Sequence, residues 1–248
     1  MSCTTGKMPE VEWHASVGST NNIVQERFVT GMRKPVWIAA GEQTSGRGRL
    51  GREWVSQHGN LYASLLWPVT VAPGILPSLS LVAGLAVHDA FVATGVDVPV
   101  QLKWPNDVLL AGKKVSGVLI ETTGLADNLA AIIGCGLNLA HCPQNTRWPA
   151  TCLTEHGVEI DPQDMLQHLR SSMHARLNQW DNASGLVSIR ADWMSFAMGR
   201  GRRICVEGNR QGLFTGLSGD GALEIRLDDG STWLHHAGDV DWIEAKGN

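Results

Sequence analysis

The sequence has few of the features that secreted or membrane proteins need. Its five cysteines are odd in number and form no C-x-x-C pair, a usage typical of reduced thiols in a reducing compartment. No apolar run reaches the roughly 18 residues of a membrane span, and residues 1–7 lack the apolar stretch of a signal peptide. We therefore expect a cytoplasmic protein with no membrane partner.

Positive charge is also in short supply. The 20 Lys and Arg against 24 Asp and Glu give a net charge of -4, whereas general nucleic-acid binding requires a basic surface. With 248 residues, 43% of them hydrophobic, the chain can bury a core of ordinary size and carry a small second domain. A local basic segment in such an acidic protein would suit a small anionic ligand.

The most distinctive segment is residues 46–54, GRGRLGREW, which holds three arginines and three glycines before Trp54. Glycine permits positive φ and close backbone approach, and arginine offers a planar fork of donors for carboxylate or phosphate. A solvated basic turn is the alternative. The segment also matches G-x-G-x-x-G, but residues 55–60 predict a turn instead of a helix, and no acidic residue follows Glu53 before Asp89. This context disfavours a dinucleotide site.

Hydrophobic periodicity predicts alternating helices and strands up to residue 198. Ser19 or Thr20 caps a first helix whose donor-rich N-terminus could hold a polar ligand group, with an ordinary N-cap as the alternative. A second helix begins at Ser78 or Ser80, and two more follow Asp161 and residues 182–185. Buried strands are predicted over four further stretches: residues 36–40, 61–67, 115–121 and 129–133.

Three local irregularities lie among these strands. Pro105 interrupts a strand over residues 100–110 and suggests a bulge or a sheet edge. Gly117 within a strand indicates close approach of a ligand or of another backbone. Gly134 and Gly136 favour a glycine-bulged strand, after which Asn138 is either a structural or a ligand-binding amide.

The pattern changes at Gly199. Five short strands joined by turns such as Asp229-Gly230 predict a small β-barrel or sandwich: residues 203–207, 212–217, 222–227, 232–234 and 240–243. We therefore divide the chain into a catalytic domain, residues 1–198, and a small C-terminal β-domain, residues 199–248.

Four motifs in order resemble those of the biotin–protein ligases: STN at 19–21, GRGRLGREW, KWPND at 103–107 with KVSGVLIE at 114–121, and GCGLN at 134–138. The resemblance covers essentially the whole chain. It implies an α+β fold, in which a mixed sheet flanked by helices, like that of class II synthetases, precedes a small SH3-like β-barrel. It also implies that ATP, with Mg²⁺, activates biotin to biotinyl-5'-AMP, and that a lysine of a biotin carboxyl carrier protein then accepts the biotin.

The resemblance also implies roles for individual residues. It implies three catalytic residues: Lys114, Arg49 and Asp107. The residues implied to bind biotin are Ser19, Thr20, Asn21, Gln43, Arg47, Gly48, Arg49, Lys114 and Gly117. Those implied to bind ATP or the adenylate are Arg49, Arg52, Trp54, Asn106, Lys114 and Asn138. No protein ligand for a metal is predicted, and no cysteine is placed as a nucleophile.

The sequence departs from the regulatory members of that family, which carry an N-terminal helix-turn-helix domain. Only about 18 residues precede Ser19, fewer than the roughly 50 of a domain, so we expect neither DNA binding nor repressor activity. Cys135 between the motif glycines and Leu50 in the arginine segment are smaller departures, and neither removes a functional atom. Either a monomer or a homodimer is compatible with the sequence.

Four alternatives remain open. A lipoate or octanoyl ligase would share the fold but lacks the GRGRLGREW segment. An inactive module could use the C-terminal domain to hold a carrier protein. The C-terminal domain could instead bind oligonucleotides through Arg200, Arg202 and Arg203, although the net charge disfavours this. A zinc site would use His141, Cys142, Cys152 and His156, whose spacing fits no standard ligand set.

Overall fold

A computed structural model describes residues 7–125, 128–144, 146–206 and 210–243, so the predictions for Cys3 and Glu207 lie outside the described residues. The helices are α1 (Thr20–Val29), α2 (Leu79–Ala93), α3 (Pro162–Trp180) and α4 (Leu186–Ser195). The strands of the larger sheet are β1 (Glu10–His14), β2 (Val36–Ala40), β3 (Leu61–Pro68), β4 (Val100–Lys103), β5 (Asp107–Leu110), β6 (Lys113–Thr123) and β7 (Ala130–Leu137). Those of the smaller sheet are β8 (Arg203–Val206), β9 (Arg210–Leu217), β10 (Leu223–Arg226), β11 (Thr232–His235) and β12 (Val240–Trp242).

The larger sheet has the strand order β1-β2-β3-β7-β6-β5-β4. Strands β1 and β2 run parallel, and the other neighbouring pairs are antiparallel. The predicted mixed sheet flanked by helices is therefore confirmed. Asp161 caps α3 as predicted, because its carboxylate accepts a hydrogen bond from the Gln163 backbone N–H at 2.7 Å.

The two faces of this sheet have different neighbours. In β2, Trp37 and Ala39 join the large core that includes α2 and α3, whereas Val36 and Ile38 join a smaller core with Val24 and Phe28 of α1. This alternation follows from the period of two along a strand. Because α1 is only 10 residues long, it covers part of its face, and the remainder of that face is available for a site.

The larger sheet differs from the sequence predictions in three places. The sequence analysis predicts no element before α1, but residues 10–14 form β1, which becomes a strand only by pairing with β2. The single strand predicted over residues 100–110 is two antiparallel strands, β4 and β5, joined by a turn at Pro105. The bulge alternative is therefore wrong, whereas the sheet-edge alternative is confirmed, since β4 is an edge strand. Strand β7 keeps an unbroken register with both neighbours through Gly134 and Gly136, so it contains no glycine bulge.

Helix α2 and the turn before it form a long apolar segment. The segment Pro73–Ala93, 21 residues, is long and apolar enough by composition to cross a membrane. An 18-residue window within it has a mean hydropathy of 1.7, but 72% of that window is buried inside the protein. Packing against α3 and the sheet accounts for its apolar character, since a helix that is hydrophobic all round belongs in a core.

The smaller sheet is antiparallel, with the order β11-β10-β9-β8-β12, and forms the predicted C-terminal β-unit. Its Phe214, Leu217 and Ile225 belong to the same core as α2 and α3. Residues 196–198 pair with the edge strand β4, because Leu102 N–H donates to Phe196 O and Met198 N–H to Leu102 O. Closure of the sheet into an SH3-like barrel and the boundary at residues 198 and 199 stay predictions.

Candidate active site

One cavity of about 260 Å³ lies on the partly covered face of the larger sheet. It runs from the N-terminus of α1 to the edge of the C-terminal β-unit. Every site residue predicted from the sequence lines it: Ser19, Thr20, Asn21, Gln43, Arg47, Gly48, Arg49, Arg52, Trp54, Asn106, Asp107, Lys114, Gly117 and Asn138. Residues separated by up to 119 positions in the chain are thus brought together, although their individual roles stay predictions.

At one end of the cavity, buried polar groups surround the start of α1. The Thr20 backbone N–H and hydroxyl both donate to Gln43 Oε1, at 2.9 and 3.1 Å. The Asn21 amide donates to Glu121 Oε2 at 2.6 Å and accepts from Ser64 Oγ at 2.5 Å. These bonds fix the donors and acceptors of this end in one orientation. Ser64 and Glu121 were missed by the sequence analysis, although a serine in the buried strand β3 is the kind of signal that indicates such a group.

Ser19 occupies the N-cap position of α1, but its side chain makes no capping hydrogen bond. The ordinary N-cap alternative is therefore wrong for this side chain. Ser19 is 5% exposed and lines the cavity.

The floor of the cavity consists of three glycines on adjacent strands, Gly117 of β6 and Gly134 and Gly136 of β7, where Gly117 and Gly136 are directly paired. A Cβ at Gly136 would lie 2.5 Å from Trp54 Nε1, and one at Gly117 would lie 3.0 Å from Trp54 Cζ3. A Cβ at Gly134 would overlap Asn21 Oδ1. Gly117 is closely approached, but by the Trp54 indole, a side chain, and not by another backbone.

The segment 46–54 forms a loop folded back on itself. Trp54 N–H donates to Gly46 O at 3.0 Å, and Gly48 N–H donates to Arg52 O at 2.7 Å. A tight turn at Arg49–Gly51 closes it, with Leu50 at φ 58° and Gly51 at φ 71°. The loop therefore separates its three arginines and directs them to different parts of the cavity wall.

Each of these arginines is held by a different partner. Arg47 donates to Asn22 Oδ1 at 2.7 Å and lies 3.5 Å from Glu121. Arg49 donates to Asn106 Oδ1 at 3.0 Å and to Gly238 O at 3.2 Å. Arg52 pairs with Asp239 at 2.5 Å. The loop thus joins α1, the β4–β5 turn and the C-terminal β-unit.

Asp239 was not predicted from the sequence. Burial raises the pKa of its carboxyl group, but the hydrogen bond and charge of Arg52, together with the charges of Arg49 and Arg147, outweigh burial and hold that pKa below its usual value. The C-terminal unit therefore contributes an ionised carboxylate to the rim of the cavity.

Two lysines, Lys103 and Lys114, also line the cavity. Lys114 Nζ lies 2.6 Å from Asp107 Oδ1 and 5.4 Å from the centroid of the Trp54 ring. Lys103 is 6% exposed, and its Nζ lies 3.4 Å from the ring centroid of Trp148. Burial lowers the pKa of Lys103 to about 8, and the charges of Asp107 and Asp241 only partly oppose this effect. Trp148 is a further lining residue that the sequence analysis missed.

Three buried polar atoms of the cavity residues accept or donate no hydrogen bond among the described residues: Asp107 Oδ1, Asn138 Oδ1 and Trp54 Nε1. Asp107 Oδ1 has the Lys114 ammonium as an ion-pair partner at 2.6 Å, which leaves Asn138 Oδ1 and Trp54 Nε1. Asn138 is 2% exposed, and its amide nitrogen already donates to Thr151 O at 3.1 Å. Because buried polar groups are nearly always paired, these two atoms point to a polar ligand.

Comparison with known proteins identifies the family to which the chain belongs. Residues 13–138, just over half of the chain, match the family model described as "Biotin/lipoate A/B protein ligase family". A biotin–[acetyl-CoA-carboxylase] ligase of Paracoccus denitrificans is 34% identical over 211 residues, which are 81% of this chain and 88% of that protein. The chain belongs to the biotin–protein ligase family.

Two further comparisons place the chain within the biotin–protein ligase family. The biotin protein ligase of Aquifex aeolicus, solved in complex with biotin and ATP, superposes with a TM-score of 0.79 at 31% identity and covers 95% of this chain and 99% of that one. The bifunctional ligase/repressor BirA of Bacillus subtilis is 29% identical over 235 residues, which are 91% of this chain and 72% of that protein. The chain is thus an enzyme of the biotin–protein ligase type, as its motifs predicted.

Proposed function

We propose that this enzyme catalyses two successive steps in the one cavity. A carboxylate oxygen of biotin attacks the α-phosphorus of ATP, the bond to pyrophosphate breaks, and biotinyl-5'-AMP forms. The ε-amine of a lysine on a biotin carboxyl carrier domain then attacks the acyl carbon, AMP leaves with the bonding electrons, and the amine gives up a proton. The single observation that carries this proposal is one cavity with a polar end fixed by hydrogen bonds and a cationic end.

The polar end suits the ureido ring of biotin. That ring offers two N–H donors and one carbonyl acceptor within a compact heterocycle. Thr20, Asn21 and Gln43 supply side-chain oxygens and amide hydrogens around the start of α1, and the Ser19 hydroxyl lies beside them. A lipoyl ring carries no such groups. If lipoate bound here, the polar groups of this end would lose their hydrogen bonds to water and gain none from the ligand, which would weaken binding.

The opposite end suits a nucleotide. Asn138 Oδ1 needs a donor, which the exocyclic amine of adenine can provide. Trp54 lies along the glycine floor beside it and supplies an aromatic surface. Arg49, Arg52 and Lys114 surround the space between the two ends, where the phosphates of ATP would lie.

The reacting groups gather negative charge as pyrophosphate departs, so fixed cations lower the barrier. We assign this role to Lys114 and Arg49, with Asp107 orienting Lys114 through their 2.6 Å ion pair. Mg²⁺ would neutralise charge on the phosphates. The cavity suits it, because Asp107 and Asp239 line it as single carboxylates, and Mg²⁺ is commonly held by one or two carboxylates together with substrate phosphates.

The low pKa of Lys103 gives a prediction for pH dependence. In the free enzyme Lys103 is charged below about pH 8 and loses its proton above it. A neutral amine no longer attracts the phosphates, so kcat/KM for ATP is expected to fall as pH rises through about 8, approaching tenfold per pH unit. The charged groups that act on Lys103 are Asp107, Asp239, Asp241 and Lys114. A test of this prediction should therefore replace Lys103 itself and leave these four residues unchanged.

The matched variants for this prediction are Lys103→Met and Lys103→Arg. The Met variant should have a low kcat/KM for ATP at every pH, whereas the Arg variant, whose cation does not titrate here, should lose the decline above pH 8. The measurement is the rate of adenylate formation from pH 6.5 to 9.5. An identical decline in the Lys103→Met variant would show that another group titrates.

The acceptor is tested by intact mass of a biotin carboxyl carrier domain incubated with the enzyme, ATP, Mg²⁺ and biotin. The expected result is a gain of one biotin, lost when the acceptor lysine is replaced by arginine and strongly reduced in Arg49→Ala. The exposed Arg200 provides the matched control, since Arg200→Ala should modify the carrier normally. Modification with lipoate instead of biotin, or with neither acid, would contradict the proposal.

We also propose that the chain does not act as a repressor. The net charge of -4 supports this, because duplex binding draws its affinity from cations placed on phosphates. In the same preparation, adenylate-loaded enzyme should show no salt-dependent change in the anisotropy of labelled duplex DNA. Sequence-selective binding to a duplex would overturn this part of the proposal.

A further inference from the structure

Two thiols and a carboxylate that the sequence separates meet beside the cavity. Cys142, Cys152 and Glu155 each bring one ligand atom, and these three atoms all lie within 4.8 Å of one another. Cys152 is buried, Cys142 is half-buried and Glu155 is exposed. From this cluster we propose that the enzyme binds a thiophilic divalent cation, with Zn²⁺ the natural occupant, through Cys142, Cys152 and Glu155.

The separations fit tetrahedral coordination. With Zn–S near 2.3 Å and Zn–O near 2.0 Å, a tetrahedral centre places a sulfur and an oxygen ligand about 3.5 Å apart and two sulfurs about 3.8 Å apart. Cys142 Sγ lies 3.5 Å from Glu155 Oε1, and the whole set stays within 4.8 Å. The ligand atoms therefore need only small movements to enclose an ion, and a water completes the fourth position.

The carboxylate ligand is also oriented by its surroundings. Thr151 Oγ1 donates to Glu155 Oε2 at 2.7 Å and lies 3.0 Å from His156 Nε2. Such hydrogen bonds to the second oxygen of a ligating carboxylate are characteristic of built metal sites. Cys142 and Cys152 of the zinc set considered from the sequence are thus brought together, but with Glu155 in place of His141 and His156.

The position of the cluster indicates what the ion would do. Cys142 and Cys152 are the two ends of one segment, and Arg147 and Trp148 within it line the active-site cavity. The far end of the segment is held to the cavity wall, because Asn138 Nδ2 donates to Thr151 O. A cation that joins both ends would fix the segment against the sheet, so the site is structural and does not take part in the reaction.

The test uses the full-length enzyme, reduced, stripped of metal with a chelator and desalted under argon. Titration with Co²⁺ should produce a thiolate-to-cobalt charge-transfer band that saturates at one ion per chain, and Zn²⁺ should displace it. Cys142→Ser and Cys152→Ser should abolish the band, and Thr151→Val should weaken Zn²⁺ affinity by about 10- to 100-fold. Cys205→Ser, which alters a half-buried cysteine in β8, should bind normally.

Thermal unfolding provides a second readout. Zn²⁺ should raise the Tm of the wild-type enzyme and of Cys205→Ser but not that of Cys142→Ser, because a ligand stabilises only the state that binds it. Since Cys142 is only half-buried, its serine variant should fold, which circular dichroism would verify. A missing charge-transfer band, a band that survives Cys142→Ser, or a Cys142–Cys152 disulfide in place of metal uptake would each overturn the proposal.

Discussion

Replacing Lys114 with methionine is expected to slow the formation of biotinyl-5'-AMP by roughly 10²- to 10³-fold, the typical cost of removing one preorganised group that stabilises transition-state charge. Methionine keeps the length and apolar stem of lysine but removes the cation beside Asp107 and Trp54. Because that cation acts on charge that develops during the reaction, kcat should fall much more than KM for biotin rises. Single-turnover formation of the adenylate, followed by chromatography, measures the effect.

Lys113→Met is the matched control for this experiment. Lys113 is the preceding residue of β6 and is exposed, so its replacement should leave the rate within twofold. Loss of Lys114 also deprives the half-buried Asp107 of its partner, and thermal unfolding of both variants separates an effect on stability from one on chemistry. A Lys114→Met enzyme that forms adenylate at the wild-type rate would remove Lys114 from the reaction.

Replacing Gly134 with alanine is expected to weaken biotin binding by about 10- to 100-fold, with KM for ATP much less affected. The new Cβ would overlap Asn21 Oδ1. Asn21 cannot simply rotate away, because its amide is held by both Ser64 and Glu121. Displacing it breaks those bonds and removes a fixed polar group from the biotin end. Isothermal titration with biotin gives the change in affinity directly.

The controls for Gly134→Ala separate steric strain from loss of recognition. Gly219→Ala should bind biotin normally, since a Cβ there would meet nothing within 4 Å. Adding Asn21→Ser to Gly134→Ala should relieve the overlap and restore the free energy of unfolding without restoring biotin affinity. Normal biotin affinity in the Gly134→Ala variant would show that Asn21 does not contact biotin.

Much of the fold could be predicted because local signals agree with tertiary packing. Asp161 and Pro162 mark the start of α3, and the apolar stretch at residues 36–40 is β2. Strand β1 could not be predicted in this way, because its residues are only partly buried and it is defined by parallel pairing with a distant strand. The β4–β5 turn was misread because proline signals a break without indicating whether the chain reverses there.

In the site, too, features with a local sequence signal were predicted and features that depend on distant segments were not. The motifs identified residues that line the cavity, because the functional residue types of each motif lie together in one short segment of the sequence. Partners contributed by distant segments left no such signal. Ser64 of β3 donates a hydrogen bond to Asn21 of α1, and Asp239 of the C-terminal unit pairs with Arg52. Likewise, the glycines of β7 suggested a bulge because the side chains that fill the space above them, Asn21 and Trp54, are more than 70 residues away.

In the proposed reaction one cavity holds biotin and ATP together and joins them. The most direct test is native mass spectrometry of the purified enzyme after incubation with biotin, ATP and Mg²⁺ in the absence of any acceptor protein. We predict one molecule of biotinyl-5'-AMP bound per chain and one equivalent of pyrophosphate released into solution. A chain that carries intact biotin and ATP side by side, or that forms an adenylate with lipoate but not with biotin, would contradict the account.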